Sequence, residues 1–255
     1  MPDRSNHHIP SHPDCAMILA AGLGLRMRPL TNHCPKPLLK LAGVPIIIRI
    51  LNALRAHGLG HFVINSHYLK NQMHALLQAD DITLLDEPDL LETGGAVLNA
   101  RSAIGKASSQ NRFLVANADN YWHVLAGPEG AIASMDKVWD EERMDMMLLL
   151  APGQGQYHQD SRSDFTIIDH ACLVRWQEGQ GCGWSYSGMA LAHPRIFDHL
   201  DAIKNQLGSP VFSLNLLFDR LIACQRLAGM VFTGQWFHLG TPKALADASM
   251  RLTHL

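Results

Sequence analysis

The chain has 255 residues, 47% apolar and 17% charged, with a net charge of −2, which is enough apolar material to bury a core without disulfides or a structural metal. No apolar run reaches the ~20 residues needed to cross a bilayer, and the polar, proline-containing start lacks a signal-peptide h-region. The five cysteines form no C-x-x-C pair, which suits a reducing cytoplasm better than a disulfide framework.

Charge is spread unevenly. From Cys15 to Ala79 there is no Asp or Glu, but there are Arg26, Arg28, Lys36, Lys40, Arg49, Arg55 and Lys70, whereas residues 80–255 are net acidic. Such a local excess of cations attracts polyanions. Without interleaved aromatics, and in a mildly acidic chain, the polyanion expected is a nucleotide rather than a nucleic acid. The fifteen histidines show no zinc-ligand spacing. His7, His8 and His12 fall in residues 1–14, read as a loose polar leader in which metal binding is the lesser reading.

The apolar run Ala16 to Ala21 predicts a buried parallel strand. It breaks into Gly22-Leu23-Gly24-Leu25-Arg26, where glycines let a ligand approach the backbone. Lys36 follows between Pro35 and Pro37, whose rings restrict the backbone and so aim the ammonium. Open amides, an arginine and a pre-set lysine make a polyphosphate cradle; the plain alternative is a glycine-rich strand–helix connection. A dinucleotide fingerprint fails because its third glycine position is Met27, and the Gly-Lys-Ser/Thr of a P-loop is absent.

Beyond the cradle, Pro45 is expected in the first turn of a helix carrying Ile46, Ile47, Ile50, Leu51 and Leu54, closed at His57-Gly58. His61 to Asn65 predicts a strand, Leu69 to Gln78 a helix and Ile82 to Leu85 a strand. This βαβαβ rhythm implies a parallel sheet with helices on both faces, ligands lying beyond the carboxyl ends of its strands. Thr93 is the expected N-cap of a helix running to Ile104, with Gly94 and Gly95 leaving amides open. Phe113 to Ala116 predicts a strand ending in Asn117-Ala118-Asp119-Asn120, where Asp119 is either a Mg²⁺ ligand or a turn former. Glu129 to Trp139 reads as a helix, Asp145 to Leu150 as a strand, and Pro152 to Ser163 as a surface loop. Phe165 to Ile168, Cys172 to Trp176 and Ser185 to Ala192 read as strands, and Pro210 to Leu227 as one helix stopped by Gly229. Val231-Phe232 is a last short strand, after which Trp236 to Pro242 leads into the final helix.

Taken together, Leu19 to Leu38 resembles the signature of sugar-1-phosphate nucleotidyltransferases, (L)AAGxGxRxxPLTxxxPKPL. The similarity extends over about Ala16 to Ala248, and Leu91 to Gly95 resembles the LETGG segment of the N-acetylmuramate-1-phosphate uridylyltransferase branch. It implies an α/β fold, a Rossmann-like, mixed and mostly parallel sheet flanked by helices, without a C-terminal β-helix. Residues 15–255 would be one nucleotidyltransferase domain, with 15–120 the nucleotide-binding half and 121–255 the sugar-binding half. Nucleotide contacts are implied at Ala20, Ala21, Gly22, Gly24, Leu25, Arg26, Lys36 and Gly94, and catalytic roles at Arg26, Lys36 and Asp119. Sugar contacts are implied at Asn117, Asp164, Ser187 and Gly188, although Asp164 and Ser187 are equally turn stabilisers. Mg²⁺ would rest on Asp119, while the second metal ligand of the family's W-x-D-x-G-T is here His238. The partners implied are a nucleoside triphosphate and a sugar 1-phosphate, with no nucleic acid or membrane. UTP with N-acetylmuramate 1-phosphate leads, ahead of mannose-1-phosphate guanylyl transfer and glucose-1-phosphate thymidylyl or uridylyl transfer. A non-catalytic binding paralogue is the reading of another class.

Overall fold

Strand β1 (Cys15–Leu19) lies at the centre of the molecule, its first four side chains fully buried. The computed structural model describes residues 12–123, 130–152, 163–179 and 182–253. His7 and His8, Glu129 and most of the 152–163 loop lie outside the described residues.

After β1 come β2 (Lys40–Leu41), β3 (Val44–Pro45), α1 (Ile46–Ala56), β4 (His61–Ser66), α2 (Lys70–Leu76) and β5 (Ile82–Asp86). Next are α3 (Glu92–Asn99), α4 (Arg101–Ala107), β6 (Phe113–Asn117), β7 (Asn120–Trp122), α5 (Ala131–Val138) and β8 (Met146–Pro152). The chain continues through β9 (Phe165–Ile167), β10 (Leu173–Arg175), β11 (Trp184–Ala192), α6 (Ile196–Leu207) and α7 (Asn215–Ala223). It closes with β12 (Leu227–Val231), β13 (Trp236–His238) and α8 (Pro242–Leu252).

Among the described residues the main sheet has nine strands, in the order β10-β9-β11-β6-β1-β4-β5, with β8 pairing both β11 and β12. Strands β6, β1, β4 and β5 run parallel, and β11 turns antiparallel against β6. Alternation along each strand feeds two cores. Ala16, Ile18, Leu114 and Ala116 face the layer of α1, α5 and α8, while Met17, Phe113 and Val115 face α3, α4, α6 and α7.

The chain leaves β1 for β4 on one side and returns through β6 on the other. The gap between β1 and β6 is therefore the topological switch point of the parallel strands, where loops diverge and leave a crevice at the carboxyl ends.

Three expectations need correction. Pro45 closes the extended β3 and precedes α1 rather than entering its first turn. The run from Pro210 to Leu227 is not one helix. It holds only α7, the chain reverses at Gln225 (φ 56°), and Gly229 lies mid-strand in β12. A side chain at Gly229 would come within 2.6 Å of Leu150 and 2.7 Å of Leu173, so close sheet packing, not helix termination, accounts for that glycine. Thirdly, Thr93 does not cap α3, which starts at Glu92; Ala100 separates it from α4. Helix α6 goes beyond the elements expected from spacing, and so does β13, which replaces the expected Val231-Phe232 as the last strand while β12 already ends at Val231.

Candidate active site

The loop after β1 is shaped by local hydrogen bonds. Gly24 takes a left-handed conformation (φ 61°), its carbonyl accepts from Met27 N at 2.9 Å and from Thr31 Oγ1 at 2.8 Å, and a side chain there would press on Thr31 and Lys36. Among the described residues, the amides of Gly22, Gly24 and Leu25 take no backbone carbonyl. Below them Ala20 N donates to Asn65 Oδ1 at 2.6 Å. Asn65 Nδ2 donates to Glu87 Oε1 at 2.8 Å, and Glu87 Oε2 accepts from Leu91 N at 3.2 Å. Glu87 is buried, so this chain of bonds ties the cradle to the ends of β4 and β5. Neither residue belongs to a motif; their only sign in the sequence is a polar side chain at the end of an apolar strand.

Facing the cradle stands Asp119, just past β6. Strand β13 pairs with β7, setting His238 opposite Asn120, and Leu239 N donates to Asp119 O at 2.8 Å. This small ladder joins positions more than a hundred residues apart. Lys36 Nζ donates to Asp119 Oδ2 at 3.0 Å, and His238 Nε2 is 3.6 Å from the same oxygen. Asn120 Nδ2 donates to Asp119 Oδ1 at 2.8 Å and is itself aimed by Trp236 Nε1, which donates to Asn120 Oδ1. Burial alone would raise the Asp119 carboxyl, but His238 and Lys36 outweigh it and hold the group below the usual carboxylate range. Asp119 is thus an anion throughout the physiological range.

Between these walls lies a cleft of about 430 Å³, lined by Ala20, Gly22, Gly24, Leu25, Arg26, Lys36, Thr93, Asn117, Asp119 and Gly240 among others. Arg26 is exposed at its mouth and, among the described residues, forms no ion pair, whereas Lys36 is held against Asp119. Two cations, unspent amides and one anchored carboxylate in such a cleft can bind a polyphosphate and balance charge that moves along it.

Other expected residues lie elsewhere. The amides of Gly94 and Gly95 donate to Phe212 O at 2.9 and 3.1 Å, and Thr93 Oγ1 accepts from Leu214 N at 2.8 Å. The two glycine amides are taken up by the segment before α7 and are not open to a ligand, while Thr93 receives that segment and also lines the cleft. Ser187 is fully buried, donating to Leu149 O at 2.7 Å and accepting from Trp122 Nε1 at 3.2 Å. Gly188 (φ 85°) lies in a bulge of β11, where a side chain would come 2.3 Å from Asn120 Nδ2. Asp164 Oδ2 accepts from Tyr186 N at 2.9 Å. Ala21 is buried beside the cradle, and none of Ala21, Gly94, Asp164, Ser187 and Gly188 lines the cleft.

The fold and the chemistry of this cleft fit a protein that binds a polyphosphate at the carboxyl ends of its parallel strands. The chain belongs to the family of the MobA-like NTP transferase domain, matched over residues 16–206, and is a nucleotidyltransferase. It is 36% identical over 250 residues to N-acetylmuramate alpha-1-phosphate uridylyltransferase of Caulobacter vibrioides, covering 94% of this chain and 97% of that protein. The enzyme of the same name from Neisseria meningitidis serogroup B is 31% identical, covering 91% of this chain and 96% of the relative. In fold it resembles UDP-glucose pyrophosphorylase complexed with UDP-glucose, with a TM-score of 0.73 at 14% identity over 95% of this chain and 99% of that one.

Proposed function

We propose that this protein transfers a nucleoside monophosphate from a nucleoside triphosphate to a sugar 1-phosphate, releasing pyrophosphate, with UTP and N-acetylmuramate 1-phosphate as substrates. The carrying observation is the convergence of Arg26, which forms no ion pair among the described residues, with the Lys36–Asp119 pair on one cleft at the sheet's switch point. The two relatives of 36% and 31% identity are named for those substrates. Such a product, a nucleotide-activated cell-wall sugar, suits peptidoglycan recycling in the cytoplasm.

An oxygen of the sugar phosphate, already ionised at neutral pH, attacks the α-phosphorus. The new P–O bond forms as the bond to the β-phosphate oxygen breaks, and pyrophosphate leaves with the electron pair. No general base is needed, so alignment and charge neutralisation dominate. Arg26 stabilises the leaving β- and γ-phosphates, Lys36 the phosphates about the reacting centre, and the Gly22, Gly24 and Leu25 amides orient the triphosphate. Residues 15–120 serve the nucleotide and 121–255 the sugar.

Mg²⁺ fits the permanently ionised Asp119, a hard oxygen donor, although His238 offers imidazole where a second carboxylate would suit it better. When bound, it would neutralise charge shared by the donor and acceptor phosphates. His238 also favours a second reading, a binding protein that has lost turnover.

The test is a matrix of nucleoside triphosphates against sugar 1-phosphates with Mg²⁺, read by pyrophosphate release. The highest kcat/KM is expected for UTP with N-acetylmuramate 1-phosphate. Nucleotide binding without turnover in any pair selects the binding protein; a different best pair reassigns the substrate.

A further inference from the structure

At the other end of the sheet, three residues far apart in sequence converge. His12 precedes β1, His57 ends α1, and Asp136 faces inward from α5. His12 Nδ1 lies 2.6 Å and His57 Nε2 3.7 Å from Asp136 Oδ2, and one donor atom from each residue falls within 4.8 Å of the others. The two imidazoles meet edge to face, with ring centroids 5.7 Å apart.

From this geometry we infer that His12, His57 and Asp136 form a zinc site, distinct from the cleft, which fastens the segment before β1 to α1 and α5. Two imidazole nitrogens and a carboxylate oxygen are zinc's usual donors, and zinc–nitrogen bonds of about 2.0–2.1 Å put tetrahedral ligands roughly 3.4 Å apart. The observed separations of 2.6 and 3.7 Å straddle that value, so small side-chain shifts complete the set.

An independent observation points to a ligand. The His57 side chain is only 6% exposed, yet its Nε2 has no hydrogen-bond partner among the described residues. A buried polar atom left so is costly, and this Nε2 lies 3.7 Å from the proposed ligand oxygen, Asp136 Oδ2. Arg112 Nε, 3.6 Å from Asp136 Oδ1, faces the carboxylate oxygen away from the proposed ion, in the position of an outer partner that orients a ligand. His12 is 62% exposed, which leaves an entry path and room for water as fourth ligand. The cluster sits at the amino ends of β1 and β6 and the cradle at their carboxyl ends, about 13 Å of strand away. Its role is therefore structural rather than catalytic.

The experiment titrates the full-length protein with ZnCl₂ in phosphate-free buffer, by calorimetry and thermal melting. One equivalent is expected to bind, raising Tm by roughly 5–10 °C at about 100-fold excess over Kd. MgCl₂ at equal concentration should not raise it, and Co²⁺ in place of zinc should give the intense visible bands of a tetrahedral site. His57→Ala should abolish the stoichiometric site and leave Mg²⁺-dependent turnover intact. Asp136→Asn should abolish it too; if that variant fails to fold, His12→Ala serves instead. A His7→Ala/His8→Ala double variant should bind zinc as the parent does. Absence of a stoichiometric site, its survival in His57→Ala, or its loss in the double variant each overturns the proposal.

Discussion

The two stretches that carry motif residues, the cradle after β1 and the strand β11 with its neighbours, are built differently. On the β1 side the polar groups remain unspent: the Gly22, Gly24 and Leu25 amides take no backbone carbonyl, and Arg26 has no carboxylate among the described residues. On the β11 side the motif residues are consumed by the fold. Ser187 bridges Leu149 and Trp122, Asp164 holds the Tyr186 amide, and Gly188 makes room for Asn120. A motif residue serves a ligand through hydrogen-bonding capacity that the fold has left open; the cradle keeps such groups facing the cleft, whereas those about β11 are held by the fold and do not line it.

Four predictions test that contrast. Arg26→Ala and Lys36→Ala should each lower kcat by roughly 10²-fold or more; Tm should stay close to the parent in Arg26→Ala, which removes charge stabilisation and no core packing, and fall in Lys36→Ala, which leaves Asp119 without its ammonium partner. Steady-state kinetics with a melting curve decide it, and unchanged turnover in either variant removes that cation from the mechanism.

Gly188→Ala should cost about 1–3 kcal/mol of stability, since it forces a left-handed backbone and collides with Asn120. Turnover should fall with it, because Asn120 holds Asp119. A variant with parental Tm and rate would show that the bulge relaxes freely.

Ser187→Ala should destabilise by about 1–2 kcal/mol, read by chemical denaturation, because Leu149 O and Trp122 Nε1 both lose a buried partner. KM for the sugar phosphate should not change. A large rise in KM with unaltered stability would return Ser187 to the sugar site and break the comparison.

The smallest effect is expected from His238→Asp. A second carboxylate beside Asp119 supplies a hard oxygen and negative charge, so the Mg²⁺ concentration for half-maximal rate should fall several-fold with activity retained. An inactive but folded His238→Asp variant would mean that the imidazole has a role of its own.

Local chemistry made much of this molecule legible. The apolar run into Gly22 and Gly24, the prolines about Lys36, and the βαβαβ rhythm rest on contacts within one turn or one strand, and the structure carries them in β1, β4, β5 and the cradle. The α1 stripe of Ile46, Ile47, Ile50, Leu51 and Leu54 is buried as its spacing requires. The stretch from Pro210 to Leu227 misled because apolar residues at helical spacing do not show where a chain reverses. The left-handed Gln225 and the place beside β8 end α7 and start β12.

What the sequence by itself determined, then, is the class of fold and the identity of the charges at the cradle, because both follow from short-range pattern. Only the tertiary structure decided how those charges are used. Asp119 meets Lys36 and His238 through the pairing of β7 with β13, and Asn65 and Glu87 brace Ala20 and Leu91 from neighbouring strands. It likewise turned Gly94 and Gly95 into a seat for Phe212 and closed Ser187 into the core. The physical reason is the same in each case: a polar group's availability depends on which distant partner the packing brings within about 3 Å, and no spacing along the chain encodes that distance.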